Sequence, residues 1–455
     1  MTEDQKTEKR KQEKSALIAK EKAKAVEGPS LLQGLRRVAN ILPWNRGNAE
    51  VRKAVEEIIF KPNGFLTLGV EIEVNLLDPN TCQLQNRGDE VLKAAEKLKK
   101  VKPEFCLDTV EINTGICHDV HDVKKDLTET IQSLSAIAGE FNLALMTTGR
   151  HPTADHKDSK LYDDARYRAN LERIRWLLKR SIILGLHVHM GMRNHHECIR
   201  YNNFFLHFLP HLLALSSSSP FWQGEDTGLY SSRPTAYEAI PTSGQPYPLS
   251  SWEEFEELYW SMRNAGAIGS LKDLWWDVRP SPKYGTLEIR VCDGVATLAE
   301  TLAITTFIQL LGHWFSDHLS WLDQMPRPRH WVRRENKWRA MRYGLGADLV
   351  ISADGKTKPL TQDILDWLEK LQPYIDRFGY HEYIDTLRQI ISRGTSTDRQ
   401  RAIYMATQNF DEVVRFNLRE FKAGKPLWDE VERSRIDTKQ SEEKSLPPPK
   451  EARSA

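Results

Sequence analysis

An α+β domain, a mainly antiparallel sheet backed by helices, is what the 455-residue sequence predicts. Three observations carry that expectation. Several short segments alternate apolar and polar side chains at period two, the strand signature, while longer ones repeat apolar residues at helical spacing. The interior, about residues 60 to 425, contains no internal repeat and no long Gly/Ser linker, so it reads as one large unit.

The elements follow in chain order. Residues 1 to about 27 alternate Lys, Glu, Gln and Ala around few apolar residues, which buries almost nothing; a charged arm, partly helical or disordered, is expected over 1–60. Phe65 to Val74 alternates as a strand, with Glu71 and Glu73 on one face, and Asp108 to Asn113 carries Glu111 at strand spacing. His118 to Leu145 places Val123, Leu127, Ile131, Leu134 and Phe141 at helical intervals, and Tyr162 to Leu178 is a second amphipathic run. Ile182 to Met192 is apolar or β-branched around His187 and His189. Gly285 to Val291 sets Thr286, Glu288 and Arg290 against Leu287, Ile289 and Val291. Thr301 to Trp314, Trp331 to Arg342 and Leu360 to Leu371 are helical in pattern. One large domain is expected over 61–427, and a polar, Pro-rich tail over 428–455, carrying Leu446-Pro447-Pro448-Pro449.

Composition excludes several classes. Lys+Arg 64 against Asp+Glu 63 leaves a net charge of +1, so no global field draws the chain to nucleic acid or an anionic membrane. The most apolar stretches, Ser181 to Met192 and Phe204 to Leu215, are short and carry histidines, and the basic start lacks an apolar signal region; a soluble, cytoplasmic protein is expected. The five cysteines, Cys82, Cys106, Cys117, Cys198 and Cys292, form no C-x-x-C pair and read as reduced, buried thiols.

Four segments offer charged or imidazole groups within apolar strands: Glu71 with Glu73, Glu111, His187 with His189, and Glu288 with Arg290. Each alone describes a strand with a wet face. Together, on a sheet whose other face is covered by helices, they describe a concave carboxylate cluster. Like charges in such a cluster raise one another's pKa values unless cations compensate. Carboxylate-rich ligation with one imidazole suits Mg²⁺ or Mn²⁺ better than zinc, and Mg²⁺ commonly completes its shell with phosphates, which points to ATP. A rival zinc-hydrolase reading rests on His187, His189 and the pair His195-His196, the latter otherwise a loop or helix start.

No phosphate-binding loop is present. Gly355-Lys356-Thr357 lacks its leading glycine, since Val350 stands there, and Asp354-Gly355 reads as a turn. Phosphates are therefore assigned to metals and to Arg233, Arg279 and Arg290, whose forks can grip an oxyanion with two parallel bonds. No serine lies in a Gly-x-Ser-x-Gly elbow. Trp275-Trp276 fits either core packing or a pocket wall.

In order along the chain, Leu68–Glu73 (LGVEIE), Thr148–Pro152 (TGRHP), Gly185–Gly191 (GLHVHMG), Ser219–Gly224 (SPFWQG) with Ser231–Pro234 (SSRP), Lys272–Pro282 (KDLWWDVRPSP), Gly285–Val291 (GTLEIRV) and Trp338–Leu345 (WRAMRYGL) resemble the carboxylate-amine ligase family known as glutamate-cysteine ligase type 2. The resemblance spans roughly residues 64 to 425. It implies a glutamine-synthetase-like catalytic fold, ATP-dependent amide formation through an acyl phosphate, carboxylate and amine substrates, and a homodimer. It also implies Glu71, Glu73, Glu111, His187 and Glu288 as ligands of Mg²⁺ ions bridging the ATP phosphates, His189 on the substrate side, Arg290 and Arg233 as catalytic groups, and Arg279 and Arg290 on the nucleotide.

Three departures stand out. Ile112-Asn113-Thr114-Gly115 follows Glu111 where the family usually has Leu-Ala-Thr, placing an amide on the site-facing side. Arg150 replaces a small residue before His151-Pro152, and the terminal arms lie outside the family core. The first two bear on the substrate, above all on cysteine as the amine. A non-catalytic binding module that keeps the fold is the alternative from another class.

Overall fold

A seven-stranded sheet organises the computed structural model, which describes residues 48–324 and 329–433. Its strands are β1 (Leu68–Leu77), β2 (Val101–Pro103), β3 (Thr109–Asn113), β4 (Ala144–Met146), β5 (Gly185–Gly191), β6 (Val278–Ser281) and β7 (Thr286–Asp293). They lie in the order β6-β7-β5-β1-β3-β2, every pairing antiparallel, with β4 on the end of β1 from Asn75 to Leu77. The helices used below are α1 (Asn48–Ile58), α2 (Val120–Glu140), α3 (Ala165–Ile174), α4 (His195–Phe205), α5 (Leu298–Asp317), α6 (His330–Tyr343), α7 (Leu360–Phe378), α8 (Ser396–Thr407) and α9 (Phe410–Ala423).

Alternation decides the two faces. Val70, Ile72 and Val74 of β1, Val110 and Ile112 of β3, Leu186, Val188 and Met190 of β5, and Leu287 and Ile289 of β7 are all buried and join one hydrophobic cluster. The opposite face carries the glutamates and histidines. α2 buries Val123, Leu127, Leu134 and Ala138, and its first turn is capped by Asp119, which accepts from the Asp122 N–H at 2.8 Å. α5 is buried nearly all round from Glu300 to Phe315, as expected of a helix enclosed by sheet and other helices.

Two boundaries differ from expectation. Ala54, Val55, Ile58 and Phe60 belong to the core, so α1 and its sequel are not part of a solvated arm. Residues 428–433 pack as well: Trp428 donates its indole N–H to the Gly394 carbonyl at 3.1 Å and lies under the Arg399 guanidinium. An indole buries too much apolar area to be left in a polar tail. The remaining arm, 1–47, and tail, 434–455, lie outside the described residues. The run from Tyr162 to Leu178 is broken at Arg175, whose φ of 59° separates α3 from a short turn of helix at Trp176–Lys179. Asp354-Gly355 forms the turn of a small hairpin, Gly355 taking φ 87°.

A buried ion triad locks the C-terminal helices to α5. Arg399 donates to Glu420 at 2.7 Å and to Glu300 at 2.8 Å, and all three side chains are 2% exposed or less. Replacing Arg399 by Ala leaves two buried carboxylates without a cation. Urea unfolding should therefore show a loss of about 3–5 kcal/mol, whereas an effect below about 1 kcal/mol would mean that the triad does not hold α5, α8 and α9 together.

Candidate active site

Strand register brings the polar residues together. Glu71 faces His187 across β1 and β5, Glu73 faces Glu111 across β1 and β3, and Glu288 of β7 faces His189 of β5 and Arg279 of β6. Opposed residues in an antiparallel pair project to the same face, so five strands contribute to one polar surface. Two groups of three result, each with ligand atoms within 4.8 Å of one another: Glu71, His189 and Glu288, and Glu73, Glu104 and Glu111.

His187 sits between the groups, its Nδ1 3.3 Å from Glu71 and its Nε2 3.9 Å from Glu73. His189 Nε2 is 3.3 Å from Glu71 and 3.9 Å from Glu288, while its Nδ1 meets the Thr286 hydroxyl at 2.8 Å. Both histidines expected at the site are there: the register sets His189 against Glu288 and His187 against Glu71. The fork of Arg279 donates to Glu288 at 2.6 and 3.1 Å and to the Leu274 carbonyl at 2.7 Å. Its Nε and Nη2 hold Glu288, and its Nη1 is directed at backbone carbonyls. Arg290 reaches the other Glu288 oxygen and approaches His187 Nδ1 at 3.5 Å.

The electrostatics separate the two groups. Glu71 is held below the usual carboxylate range, against the effect of burial, by its hydrogen bonds with His187 and His189. Glu288 is held low, again against burial, by Arg279 and Arg290. Burial pushes Glu111 up to about 7, aided by the charges of Glu71 and Glu73, and raises Glu104 well above the ordinary range with help from Glu73 and Glu111. Burial and the Arg290 charge lower His187, whose Nε2 has no hydrogen-bond partner. The second group is therefore an acidic cluster short of positive charge, beside an unpartnered imidazole nitrogen. That donor set fits hard divalent cations.

A cavity of about 140 Å³ opens beside this cluster, with Glu73, Glu104, His187, Arg166, Arg233 and Arg290 among its polar walls and Tyr237, Trp275 and Trp276 among its aromatic ones. Trp275-Trp276 is thus a cavity wall. Arg233 reaches this position because Gly185 has no side chain; a Cβ there would lie 2.5 Å from Arg233 Nη2 and 2.8 Å from His187 Nε2. Asn113 faces the site as expected, donating to Glu111 at 2.7 Å and accepting from Lys102 at 3.2 Å. His195 instead begins α4, whose Asn194 cap accepts from the Glu197 N–H at 2.9 Å, and packs on Trp252. The second histidine pair of the zinc reading is therefore part of a capped helix start.

Two acids escaped the sequence reading. Glu104 lies just past β2, where no alternation marks it. Asp293 is brought to the site side by a bulge in β7 between Ile289 and Cys292, which reverses the alternation; it accepts from the Ser218 N–H and the Ser219 and Ser231 hydroxyls at 2.7 to 3.1 Å.

The family model described as Glutamate-cysteine ligase family 2 matches residues 67–416. This chain belongs to that family. Its members are ATP-dependent carbon–nitrogen ligases. A provisionally named glutamate–cysteine ligase 2 of Thermobifida fusca is 38% identical over 375 residues, covering 81% of this chain and 94% of its own length. One of Bdellovibrio bacteriovorus is 39% identical over 360 residues, covering 79% and 95%. The crystal structure of glutamate–cysteine ligase from Francisella tularensis in complex with AMP superposes with TM-score 0.56 at 13% identity over 85% of this chain and 95% of its own. A bifunctional glutathione synthetase from Pasteurella multocida gives 0.58 at 14% identity, over 79% and 52%. The α+β, glutamine-synthetase-like architecture expected from the sequence is the one found. Among the described residues no helix is long and apolar enough to cross a membrane.

The raised carboxyls make cation binding pH-dependent. Glu111, near 7 when folded against 4.5 unperturbed, binds its proton more tightly in the folded state; that contribution to stability is full below about pH 4.5 and lost as pH rises through about 7. The melting temperature of the cation-free protein should fall from about pH 5 to pH 8, and Mg²⁺, which needs the anion, should cancel the fall and bind more tightly across the same window. Calorimetry with and without Mg²⁺ checks this, and Glu111→Gln should flatten the difference. Mg²⁺ affinity independent of pH would contradict it.

Proposed function

We propose that the protein joins the side-chain carboxylate of glutamate, or a close relative, to an amine such as cysteine, through an acyl phosphate. The observation that supports this reading is the pair of adjoining acidic groups, flanked by Arg290 and Arg233, at the mouth of an aromatic-walled cavity. Glu71, His189 and Glu288 would hold one divalent cation and Glu73, Glu104 and Glu111 another, with His187 between them; Mg²⁺, or Mn²⁺ in its place, would neutralise the phosphate charge of ATP.

The donor carboxylate attacks the γ-phosphorus, ADP leaves, and the amine then attacks the acyl carbon and expels phosphate. The chain's own contribution is position and charge. Arg290, braced by Glu288, and Arg233 present guanidinium groups to the oxyanion that moves from ATP to the donor. Arg279 keeps Glu288 ionised and in place, acting through it rather than on the nucleotide. The Tyr237, Trp275 and Trp276 rings shield the acyl phosphate from water.

With Mg²⁺-ATP, hydroxylamine and glutamate, the purified protein should release ADP and yield glutamyl hydroxamate. Arg290→Ala and Glu288→Gln should each lower kcat by about 10²- to 10³-fold, the usual effect of removing a group that meets developing charge. ADP release that needs no carboxylate, or hydroxamate formation at the normal rate in both variants, would remove the reading; a binding module would keep its ligand with no turnover at all.

A further inference from the structure

Ten large apolar side chains are exposed among the described residues, and five of them, Tyr247, Trp331, Trp338, Tyr343 and Ile351, sit on α6 or against it. Tyr247 stacks on His330 with ring centres 5.8 Å apart, and Ile351 follows Val350, whose backbone pairs with the Asn336 amide at 2.7 and 3.0 Å. Trp331 and Trp338 are 47% and 48% exposed and stand seven residues apart, two turns, so one face of the helix carries both indoles. Helical spacing puts Arg334 and Arg342 on the same face, three and four residues after them. The inner face is already occupied: Val332, Lys337, Ala340 and Met341 are buried, and Lys337 ion-pairs at 2.5 Å with Asp277 in the cavity wall. Concentrated apolar area on an outer face marks a docking surface.

The chain carries a segment of matching chemistry. Residues 434–455 include Glu442-Glu443 followed by Leu446-Pro447-Pro448-Pro449. A proline run has little conformational freedom to lose and docks on aromatic rings. In polyproline II geometry Leu446 and Pro449 share one edge about 9 Å apart, against about 10.5 Å between the two tryptophans along the helix. With Pro449 on Trp331 and Leu446 on Trp338, the two glutamates continue toward Arg342, one turn further on. Such a pairing fixes register and direction more than strength.

The direction agrees with where residues 431–433 lie. Val431 packs with Phe221 and Ile403, and Phe221 pairs with Asp226 in a hairpin whose Gly228 carbonyl accepts from Arg342 at 2.6 Å. The C-terminal end of α6 and residue 431 thus meet the same hairpin. Thirteen residues separate Arg433 from Leu446, a reach of about 20 Å as relaxed coil and about 45 Å fully extended.

We propose that the outer face of α6 is the docking site of this chain's own segment 442–449, with Pro449 over Trp331, Leu446 over Trp338 and the glutamates toward Arg342. The inference does not depend on the ligase reading. The docked segment covers the helix whose inner side, through Lys337, braces the cavity wall.

Fluorine NMR of the full-length protein labelled with 5-fluorotryptophan tests this, Trp331→Phe and Trp338→Phe identifying the two resonances. Pro447→Ala, Pro448→Ala and Pro449→Ala in combination should shift both, and Glu442→Arg with Glu443→Arg should shift them the same way. A synthetic peptide of residues 440–455 should return the triple variant to the parent shifts. It should bind that variant at least about tenfold more tightly than the parent, whose tethered segment competes. Resonances that ignore every tail substitution, or equal peptide affinity for parent and variant, would overturn the docking. Shifts that follow dilution of the parent instead of the tail sequence would overturn it too, and would assign the face to a second copy of the chain.

Discussion

Five glutamates, Glu71, Glu73, Glu104, Glu111 and Glu288, crowd one side of a single sheet, and their mutual repulsion is the constraint to which the rest of the site answers. The fold meets it unevenly. Around Glu71 and Glu288 two histidines and two arginines compensate, and those carboxylates stay ionised. Around Glu104 and Glu111 the chain offers little, and protons or metal ions must do so. A sheet is well suited to hold such a cluster, because the opposite side of each strand anchors the repelling groups in a close-packed core built on α2 and α5.

The β7 bulge shows how a small irregularity changes chemistry. One extra residue between Ile289 and Cys292 lets Glu288 and Arg290 project to the site and then turns Asp293 to the same side, where it gathers the serines of two loops. Those loops carry Arg233, and Gly185 gives it room. Arg290 and Asp293 come from the same strand, the acid tethering loops while the arginine faces the cavity.

The framework was legible in the sequence wherever alternation was strong. The strands around Glu71, His187 and Glu288 are where period two placed them, because one side of each is covered by helices and selection for apolar residues there leaves a clean pattern. The Asn113 amide faces the site for the same reason. Edges were less legible: α1 and residues 428–433 pack through isolated apolar groups such as Val55 and Trp428, which composition alone assigns to solvated segments.

Residue types and their spacing determined that carboxylates and imidazoles share a face, since that follows from the geometry of a single strand. Which partner each one meets was decided by tertiary structure, because cross-strand register depends on loops and bulges that no local period records. Register matched His189 to Glu288, set Arg279 against Glu288, and Glu104 joined the cluster from a position with no pattern at all. The fold also buried Arg150 and Arg233 around Asp293, which only the arrangement of separate loops could bring about.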